Sequence, residues 1–225
     1  MRKKQSAVDV ATDRGAKELL LYKLKAIAPI RDPMPDRRRA FVKIAHDLAC
    51  ELSLDGYSMR RVADRCGISL AALQYHFETK GRLIAEVVRF RTDWYGDCIY
   101  DCVTAMPDEP SVIFDGVIEW LLADAIVLPT ANFSYNVWAL SQHDDLASAA
   151  LSEYRRLYDE LLVTLVRLVN PSVQDHAAET AAVLIASLID GTMPLVSRGR
   201  AEKDVDAGAK AAVQRLAHSI ALDAT

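Results

Sequence analysis

Helix-capping serines, a turn glycine and basic side chains occur together in one segment, SMRRVADRCGISLAALQYHF, which spans residues 58 to 77. Ser58 and Ser69 each precede a short helical pattern, where a serine accepts hydrogen bonds from the free backbone N–H groups of the first turn. Gly67 permits a turn between the two helices that a side chain would oppose. The second helix could then lie in a DNA major groove with its N-terminal residues against base edges. The spacing predicts a helix-turn-helix, although simple packing of two short helices remains an alternative.

Small and apolar residues are placed to fill the contact between those two helices. Ala63 is small where the first helix would cross the second, while Val62, Ile68 and Leu73 would fill the wedge between them. The segment resembles the N-terminal domain of the TetR/AcrR family of transcriptional regulators. That resemblance covers about residues 37 to 84 and rests on FVKIAHDLACELSLDGYS, Val62-Ala63, Gly67-Ile68-Ser69, LQYHF and Lys80.

The resemblance implies which side chains would contact DNA. Base contacts are expected from Arg60, Leu70, Ala71, Ala72, Gln74 and Tyr75. Phosphate contacts are expected from Ser58, Ser69, His76 and Lys80. Arg60 is the first candidate, because a guanidinium can donate to guanine O6 and N7 together. Gln74 departs from the family pattern, which usually has a tyrosine there. A solvated helix residue is the alternative for Arg60, and a structural histidine is the alternative for His76.

The distribution of charge agrees with a polyanion partner for the N-terminal part of the chain. Residues 1 to 91 hold 19 lysines and arginines against 11 aspartates and glutamates, a charge of +8, whereas residues 92 to 225 hold 8 against 20, a charge of −12. A basic part joined to an acidic body is typical of a chain of which only one part meets nucleic acid. Arg37, Arg38 and Arg39 could reach phosphates, and the tip Arg2, Lys3 and Lys4 could enter a minor groove. Solvated charge runs are the alternative for both.

Composition excludes several protein classes. The 225 residues are 51% hydrophobic and 26% charged, which is ordinary for a folded protein and wrong for a disordered one. Without an apolar run of membrane-spanning length or a secretory pattern behind the basic tip, we expect a cytoplasmic protein with no membrane partner. The four cysteines have no metal spacing, and packing is the favoured role of Cys98 and Cys102, so neither a metal nor a cofactor is expected.

Hydrophobic spacing of three and four residues recurs along the chain without β-alternation and predicts an all-α protein of about nine or ten helices. We expect an N-terminal extension at 1–35, with a short helix near 14 to 28 and a proline-rich linker. A helix-turn-helix domain of three helices at 36–82 and a larger helical domain at 83–225 follow. Asp36 is the expected N-cap of the domain's first helix. Pro129 is expected to close a helix from about 111 to 128, and Pro171 to open the next-to-last helix.

The resemblance also implies that the last two helices, at about 172–196 and 204–222, pair with those of a second subunit in a homodimer. The faces predicted for this contact are Ala182, Ile185, Ala186 and Ile189, then Ala209, Ala212, Val213, Leu216, Ala217 and Ile220. A pocket for a small-molecule effector is expected between residues 83 and 169. Its candidate ligand contacts are Trp120, Asp124, Tyr135, Asn136 and Trp138, although aromatic residues at helical spacing also serve as packing.

The leading hypothesis from the sequence is a dimeric repressor that binds a palindromic DNA operator and is released from it by a small molecule. One alternative is a helix-turn-helix protein that makes protein contacts and has no effector. A second alternative is an enzyme that uses the helical body. The sequence contains no nucleophile elbow, phosphate loop or HExxH motif, and an enzyme is therefore not expected.

Overall fold

The computed structural model describes residues 15 to 27, 34 to 52, 56 to 195 and 207 to 225. Within these ranges the protein is helical and has no strand, which confirms the predicted all-α class and number of helices. The helices are α1 (Ala16–Ile27), α2 (Asp36–Glu51), α3 (Met59–Arg65), α4 (Leu70–Phe77), α5 (Lys80–Ala105), α6 (Pro110–Ala125), α7 (Leu128–Ser141), α8 (Asp145–Val169), α9 (Asp175–Asp190) and α10 (Ala207–Asp223). A 3-10 turn, Met193–Leu195, follows α9. The basic tip Arg2, Lys3 and Lys4 lies outside the described residues.

Three predicted helix boundaries were wrong, and each involves a proline. Pro129 does not close a helix but lies in the first turn of α7, where its missing N–H group breaks no hydrogen bond. Pro171 lies in a turn, so α9 begins later than expected, at Asp175. Asp36 is the first residue of α2 and not its N-cap, because Pro35 occupies the cap position without a side-chain hydrogen bond.

Two hydrophobic clusters form the core, and α5 contributes to both. The first half of α5 packs with α2, α3 and α4 around Val62, Leu73 and Phe77. Its second half contributes Ile99 and Val103 to a larger cluster with α1, α6, α8, α9 and α10. The border expected between residues 82 and 83 thus falls inside one continuous helix. The division into domains at 36–82 and 83–225 stays a prediction.

The N-terminal helix α1 packs on the larger cluster. Leu20 and Leu24 are buried there. The Lys17 Nζ atom donates hydrogen bonds to the carbonyl oxygens of Thr104 and Met106, at 2.7 and 2.5 Å, where α5 ends. Carbonyl groups in the last turn of a helix have no partner within the helix, so Lys17 satisfies two acceptors that would otherwise need water. This contact fastens α1 to the end of α5.

One described stretch, Asp175–Leu195, is long and apolar enough to cross a membrane by length and composition. In the folded chain its Ala182, Ile185 and Ile189 side chains are buried in the larger cluster. A core helix passes the same test of length and composition, so this stretch is weak evidence for a membrane span.

Candidate nucleic-acid interface and cavity

The two serines predicted as caps hold the start of α3 and of α4. The Ser58 Oγ atom accepts a hydrogen bond from the Arg61 backbone N–H at 3.3 Å, and the Ser69 Oγ atom accepts one from the Ala72 N–H at 3.1 Å. Gly67, in the turn between these helices, has a φ of 68°, a left-handed conformation that favours glycine. The local sequence thus sets both the start of α4 and the turn that leads into it.

Helix α4 has one face in the core and one in solvent. Leu73 and Phe77 are fully buried and fix the helix against the first cluster. Four residues predicted to contact bases have exposed side chains: Ala71, Ala72, Gln74 and Tyr75. Leu70 is half-buried, while Tyr75 is 87% exposed. A large aromatic side chain held in solvent on a rigid helix is available to an external partner.

Arg60 projects from the start of α3 with an exposed side chain. Within the described part of the chain its guanidinium takes part in no ion pair or hydrogen bond. Arg65, at the other end of the same helix, is by contrast paired with Glu51 at 2.9 Å. The donors of Arg60 are thus available for a bidentate contact without the loss of an internal bond.

Lys80 and His76 have internal contacts. The Lys80 Nζ atom donates to the Tyr57 carbonyl oxygen at 3.0 Å and lies over the Tyr57 ring, and burial lowers the pKa of Lys80. An ammonium group has three donors, so a phosphate contact remains compatible with this position. The His76 ring packs edge-on against Phe41 at a centroid distance of 5.3 Å. This packing agrees with the alternative that His76 serves the fold. The phosphate contacts of Lys80 and His76 stay predictions.

The arginine triplet at the start of α2 is divided between two environments. Arg38 forms an ion pair with Glu86 of α5 at 3.1 Å, and its guanidinium lies 5.1 Å from the centre of the Phe77 ring. Arg37 and Arg39 have exposed side chains. Arg38 therefore holds α2 against α4 and α5, while its two neighbours remain on the surface.

A cavity of about 180 Å³ lies among α5, α7, α8 and the end of α9. Its lining is mainly aromatic and aliphatic with three charged side chains. The aromatic residues are Tyr95, Phe133, Trp138 and Tyr154, and the charged residues are Arg91, Arg155 and Asp190.

The five residues predicted as ligand contacts lie in different places. Trp138 lines the cavity, whereas Trp120 packs edge-on against Tyr95 at 5.4 Å and Tyr135 is 39% exposed. Asp124 does not line the cavity. Asn136 is buried and donates hydrogen bonds to carbonyl oxygens at the end of α2.

Asp124 instead holds Arg91, a residue that was not predicted from the sequence. Arg91 is only 6% exposed, and its Nη2 atom lies 3.1 Å from an Asp124 oxygen and 2.8 Å from the Thr130 hydroxyl. The Tyr95 hydroxyl also donates to Asp124, and burial raises the pKa of Tyr95 well above its usual range, so the phenol remains a donor. One charge pair with its hydrogen bonds thus connects α5, α6 and α7. A sequence indication existed, because Arg91 continues the buried stripe of Ile84, Val87 and Val88.

His46 extends this network to α2. Its Nε2 atom lies 3.3 Å from Arg91 Nη1, and its Nδ1 atom lies 3.1 Å from Asp47. An arginine can only donate, so Nε2 accepts and the proton of the neutral ring lies on Nδ1. Burial, and secondarily the charge of Arg91, lowers the pKa of His46, against the opposing effect of Asp47.

This environment predicts a pH-dependent stability. The folded-state pKa of His46 lies below its unfolded value of about 6.5, so the unfolded chain binds the proton more readily. The contribution of the neutral His46 ring to the free energy of unfolding is fully present above pH 6.5. It is lost as the pH falls from 6.5 toward the folded-state pKa. We expect the free energy of unfolding to fall by up to about 1.4 kcal/mol per pH unit in this window. Urea unfolding between pH 8 and 5 checks this.

His46→Gln is the matched variant for the pH experiment, because glutamine keeps a side-chain acceptor but does not titrate. The free energy of unfolding of the wild type should therefore fall relative to that of His46→Gln below pH 6.5. A difference that stays constant across the range would contradict the assignment.

The cysteines show no reactive environment. All four are free, and burial raises the pKa of Cys98 and Cys102, which keeps these thiols protonated. In the described ranges no group of three or more His, Cys, Asp or Glu residues could hold a metal ion.

The faces predicted for pairing of subunits require correction. Ala182, Ile185, Ala186 and Ile189 of α9 are buried in the protein's own core and are not available to a partner. The exposed apolar side chains of α9 are instead Val183 and Leu184, at 56% and 49%. On α10, Ala217 is buried and Leu216 is 49% exposed. An apolar residue on either side of α9 satisfies helical spacing, so the spacing alone does not distinguish the two faces.

Solved structures share this fold. A TetR-family regulator from Rhodococcus sp. superposes with a TM-score of 0.65 at 14% identity, over 83% of this chain and 100% of that one. One from Mesorhizobium loti gives 0.64 at 16%, over 82% and 94% of the two chains. A transcriptional regulator from Saccharomonospora viridis in complex with choline gives 0.64 at 19%, over 80% and 95%. No family model and no curated protein matches the sequence. The chain therefore has the fold of TetR-family regulators.

Proposed function

We propose that this chain, which has the fold of TetR-family transcriptional regulators, is a dimeric, sequence-specific DNA-binding regulator. The observation that carries the proposal is the exposed face of α4. Helix α4 is capped at its N-terminus by Ser69, and its other side is fixed in the core by Leu73 and Phe77. Arg60 projects from the neighbouring helix α3 without an internal partner in the described chain. A rigid helix presented in this way suits the major groove of DNA.

Electrostatics supports DNA over a protein as the partner of this face. The charge of +8 in residues 1 to 91 attracts phosphates, and the charge of −12 in the rest of the chain disfavours them. Arg37 and Arg39 add exposed charge at the start of α2. We propose phosphate contacts for these two residues as well as for Ser58, Ser69, His76 and Lys80.

Selection of genomic DNA fragments by the full chain tests the proposed function. We expect a small set of fragments to be enriched, each with a two-fold symmetric sequence whose halves lie about one helical turn, 10 base pairs, apart. Retention of all fragments to the same extent, or of none, would contradict sequence-specific binding.

Exposed apolar side chains on α9 and α10 support the dimer. Val183, Leu184, Leu216 and Leu222 are between 49% and 56% exposed. The two helices pack against each other, so a second subunit could cover both. Pairing also explains how a short helix achieves specificity, because two copies read two half-sites.

Leu216→Glu should weaken self-association by on the order of a hundredfold, since a charge would be buried at the subunit contact. Sedimentation equilibrium measures the change. Leu146→Glu is the matched control, because Leu146 is 44% exposed at the start of α8. The adjacent Ala147 packs in the cluster around Val62, which contains no residue of α9 or α10. Equal behaviour of the two variants would place the dimer contact elsewhere.

We further propose that the regulator is a repressor and that the cavity receives the small molecule that releases it. The Saccharomonospora viridis regulator of the same fold was solved with choline, which supports a small-molecule site in this chain. A ligand that binds better to the conformation that does not bind DNA shifts the population toward that conformation. Such a ligand would release the repressor from its operator.

Helix α7 offers a route from the cavity to the helix-turn-helix. Phe133 and Val137 line the cavity. On the same helix the Asn132 side chain donates to the Cys50 carbonyl at 3.0 Å, and the Asn136 side chain donates to the Ala49 carbonyl at 2.9 Å. A displacement of α7 by a ligand would therefore move the end of α2, against which α3 packs.

A further inference from the structure

We infer that the cavity binds an uncharged aromatic molecule about the size of a substituted benzene that carries one hydrogen-bond acceptor oxygen. This inference deepens the proposed function, on which it rests, by giving the chemical class of the effector. The volume, the charge balance, the hydrogen-bond donors and the aromatic residues of the cavity each contribute one part of it.

The volume limits the size of the ligand. The cavity measures about 180 Å³. A protein cavity of about 150 Å³ lined by apolar side chains holds one benzene molecule. One ring with one or two further heavy atoms therefore fills the space, whereas a steroid or a long acyl chain would not enter without a large expansion of the core.

The charges exclude an ion. Arg155 and Asp190 line the cavity as a pair, with 2.7 Å between Arg155 Nη1 and Asp190 Oδ2. Arg91, the third charged residue of the lining, is neutralised by Asp124 behind it at 3.1 Å. Each charge thus has its counter-charge already. A cation or an anion would lose its hydration on entry and find no free opposite charge to compensate it.

The polar groups of the lining favour an acceptor. Guanidinium groups only donate hydrogen bonds, and two of them line the cavity. An oxygen of an alcohol, aldehyde or ketone accepts a hydrogen bond from a guanidinium group of this lining without bringing a charge.

The aromatic residues favour a ring. Tyr95, Phe133, Trp138 and Tyr154 come from three different helices and surround the same space. Aromatic side chains pack against a ligand ring edge-on or with offset stacking. A flexible aliphatic ligand has no ring with which to make these contacts. Val88, Val137 and Leu151 add aliphatic surface to the lining.

Four probes with the same ring separate these requirements: benzyl alcohol, toluene, benzoate and benzylammonium. Binding to the full chain is measured by the shift in melting temperature and by calorimetric titration. We expect benzyl alcohol to bind saturably and to raise the melting temperature. Toluene should bind about fivefold more weakly because it lacks the acceptor. The two ions should bind at least about tenfold more weakly than benzyl alcohol.

Ser134→Phe is the cavity-filling variant. Ser134 lines the cavity from a half-buried position on α7, so the new ring can occupy the cavity. Ser152→Phe places the same side chain at an exposed position on α8 and is the matched control. Benzyl alcohol should still stabilise Ser152→Phe but not Ser134→Phe. The melting temperature of each variant without ligand shows whether it is folded.

Three results would overturn the inference: tighter binding of either ion, binding that persists in a folded Ser134→Phe variant, or no binding of any probe. Binding of the ligand-free protein to its selected DNA fragment is measured on the same preparation. DNA binding without binding of a probe contradicts only the ligand class, whereas loss of sequence-specific DNA binding contradicts the proposed function itself.

Discussion

Replacing Asp124 by asparagine should lower the free energy of unfolding by about 3 to 5 kcal/mol, the largest effect on stability that we expect from a single substitution outside the aliphatic core. The Arg91 side chain is 7% exposed and the Asp124 side chain 15%, so water screens neither charge well. Asparagine has nearly the same shape and keeps an acceptor, and the main change is a guanidinium left in the interior without its counter-charge.

A double variant separates the cost of the unpaired charge from the value of the pair. Arg91→Met with Asp124→Leu removes both charges, and its stability should recover part of the loss, because a buried pair contributes little over apolar residues of similar volume. Recovery is only partial because the Tyr95 and Thr130 hydroxyls lose their partners. Urea unfolding measures all variants.

Glu153→Gln is the control for the Asp124 experiment, since it breaks an exposed ion pair with Arg156 and should change stability little. An Asp124→Asn variant as stable as Glu153→Gln would mean that Arg91 is solvated in solution. The cavity would then lack the charge balance on which the inferred ligand class depends.

Replacing Arg60 by alanine should abolish most of the sequence specificity of DNA binding. One bidentate contact with guanine contributes about 1 to 3 kcal/mol of discrimination, and a dimer makes two such contacts, so the expected loss is about 2 to 6 kcal/mol. The stability of the fold should not change, since Arg60 is exposed and has no partner in the described chain. Fluorescence anisotropy with the selected fragment and with a scrambled fragment measures both affinities.

The ratio of the two affinities distinguishes the roles open to Arg60. A base contact lowers affinity for the selected fragment and leaves the scrambled fragment nearly unchanged. A phosphate contact lowers both equally and reduces the salt dependence. Arg156→Ala, which removes an exposed arginine of α8 paired only with exposed glutamates, is the control and should change neither affinity. Equal affinities for Arg60→Ala and the wild type would exclude any contact.

The local part of the fold could be predicted from the sequence because its determinants are local. A serine cap acts within one turn, and the positive φ at Gly67 concerns one residue. Both were recognisable without the rest of the chain. Pro129 shows the limit of such reasoning, because a proline ends one helix or begins the next, and the choice depends on how α6 and α7 pack.

The cavity could not be assembled from the sequence, since its residues come from helices far apart in the chain. Arg91 and Asp190 are 99 positions apart, and only packing of α5, α8 and α9 brings them to the same space. The buried side of α9 could not be predicted for the same reason, because packing against helices far away in the sequence decides which apolar side faces inward. Ile185 faces inward and Leu184 outward, although both are apolar and adjacent in sequence.

Sequence-specific DNA binding is decided by one measurement, the ratio of the affinities of the full chain for its selected fragment and for a scrambled fragment of equal length. Sequence-specific DNA-binding proteins bind their sites at least about a thousandfold more tightly than other DNA at physiological salt. We predict a ratio of that order, with affinities for both fragments that fall as salt increases. A ratio near one for every enriched fragment would contradict the assignment of the α4 face to sequence-specific DNA binding.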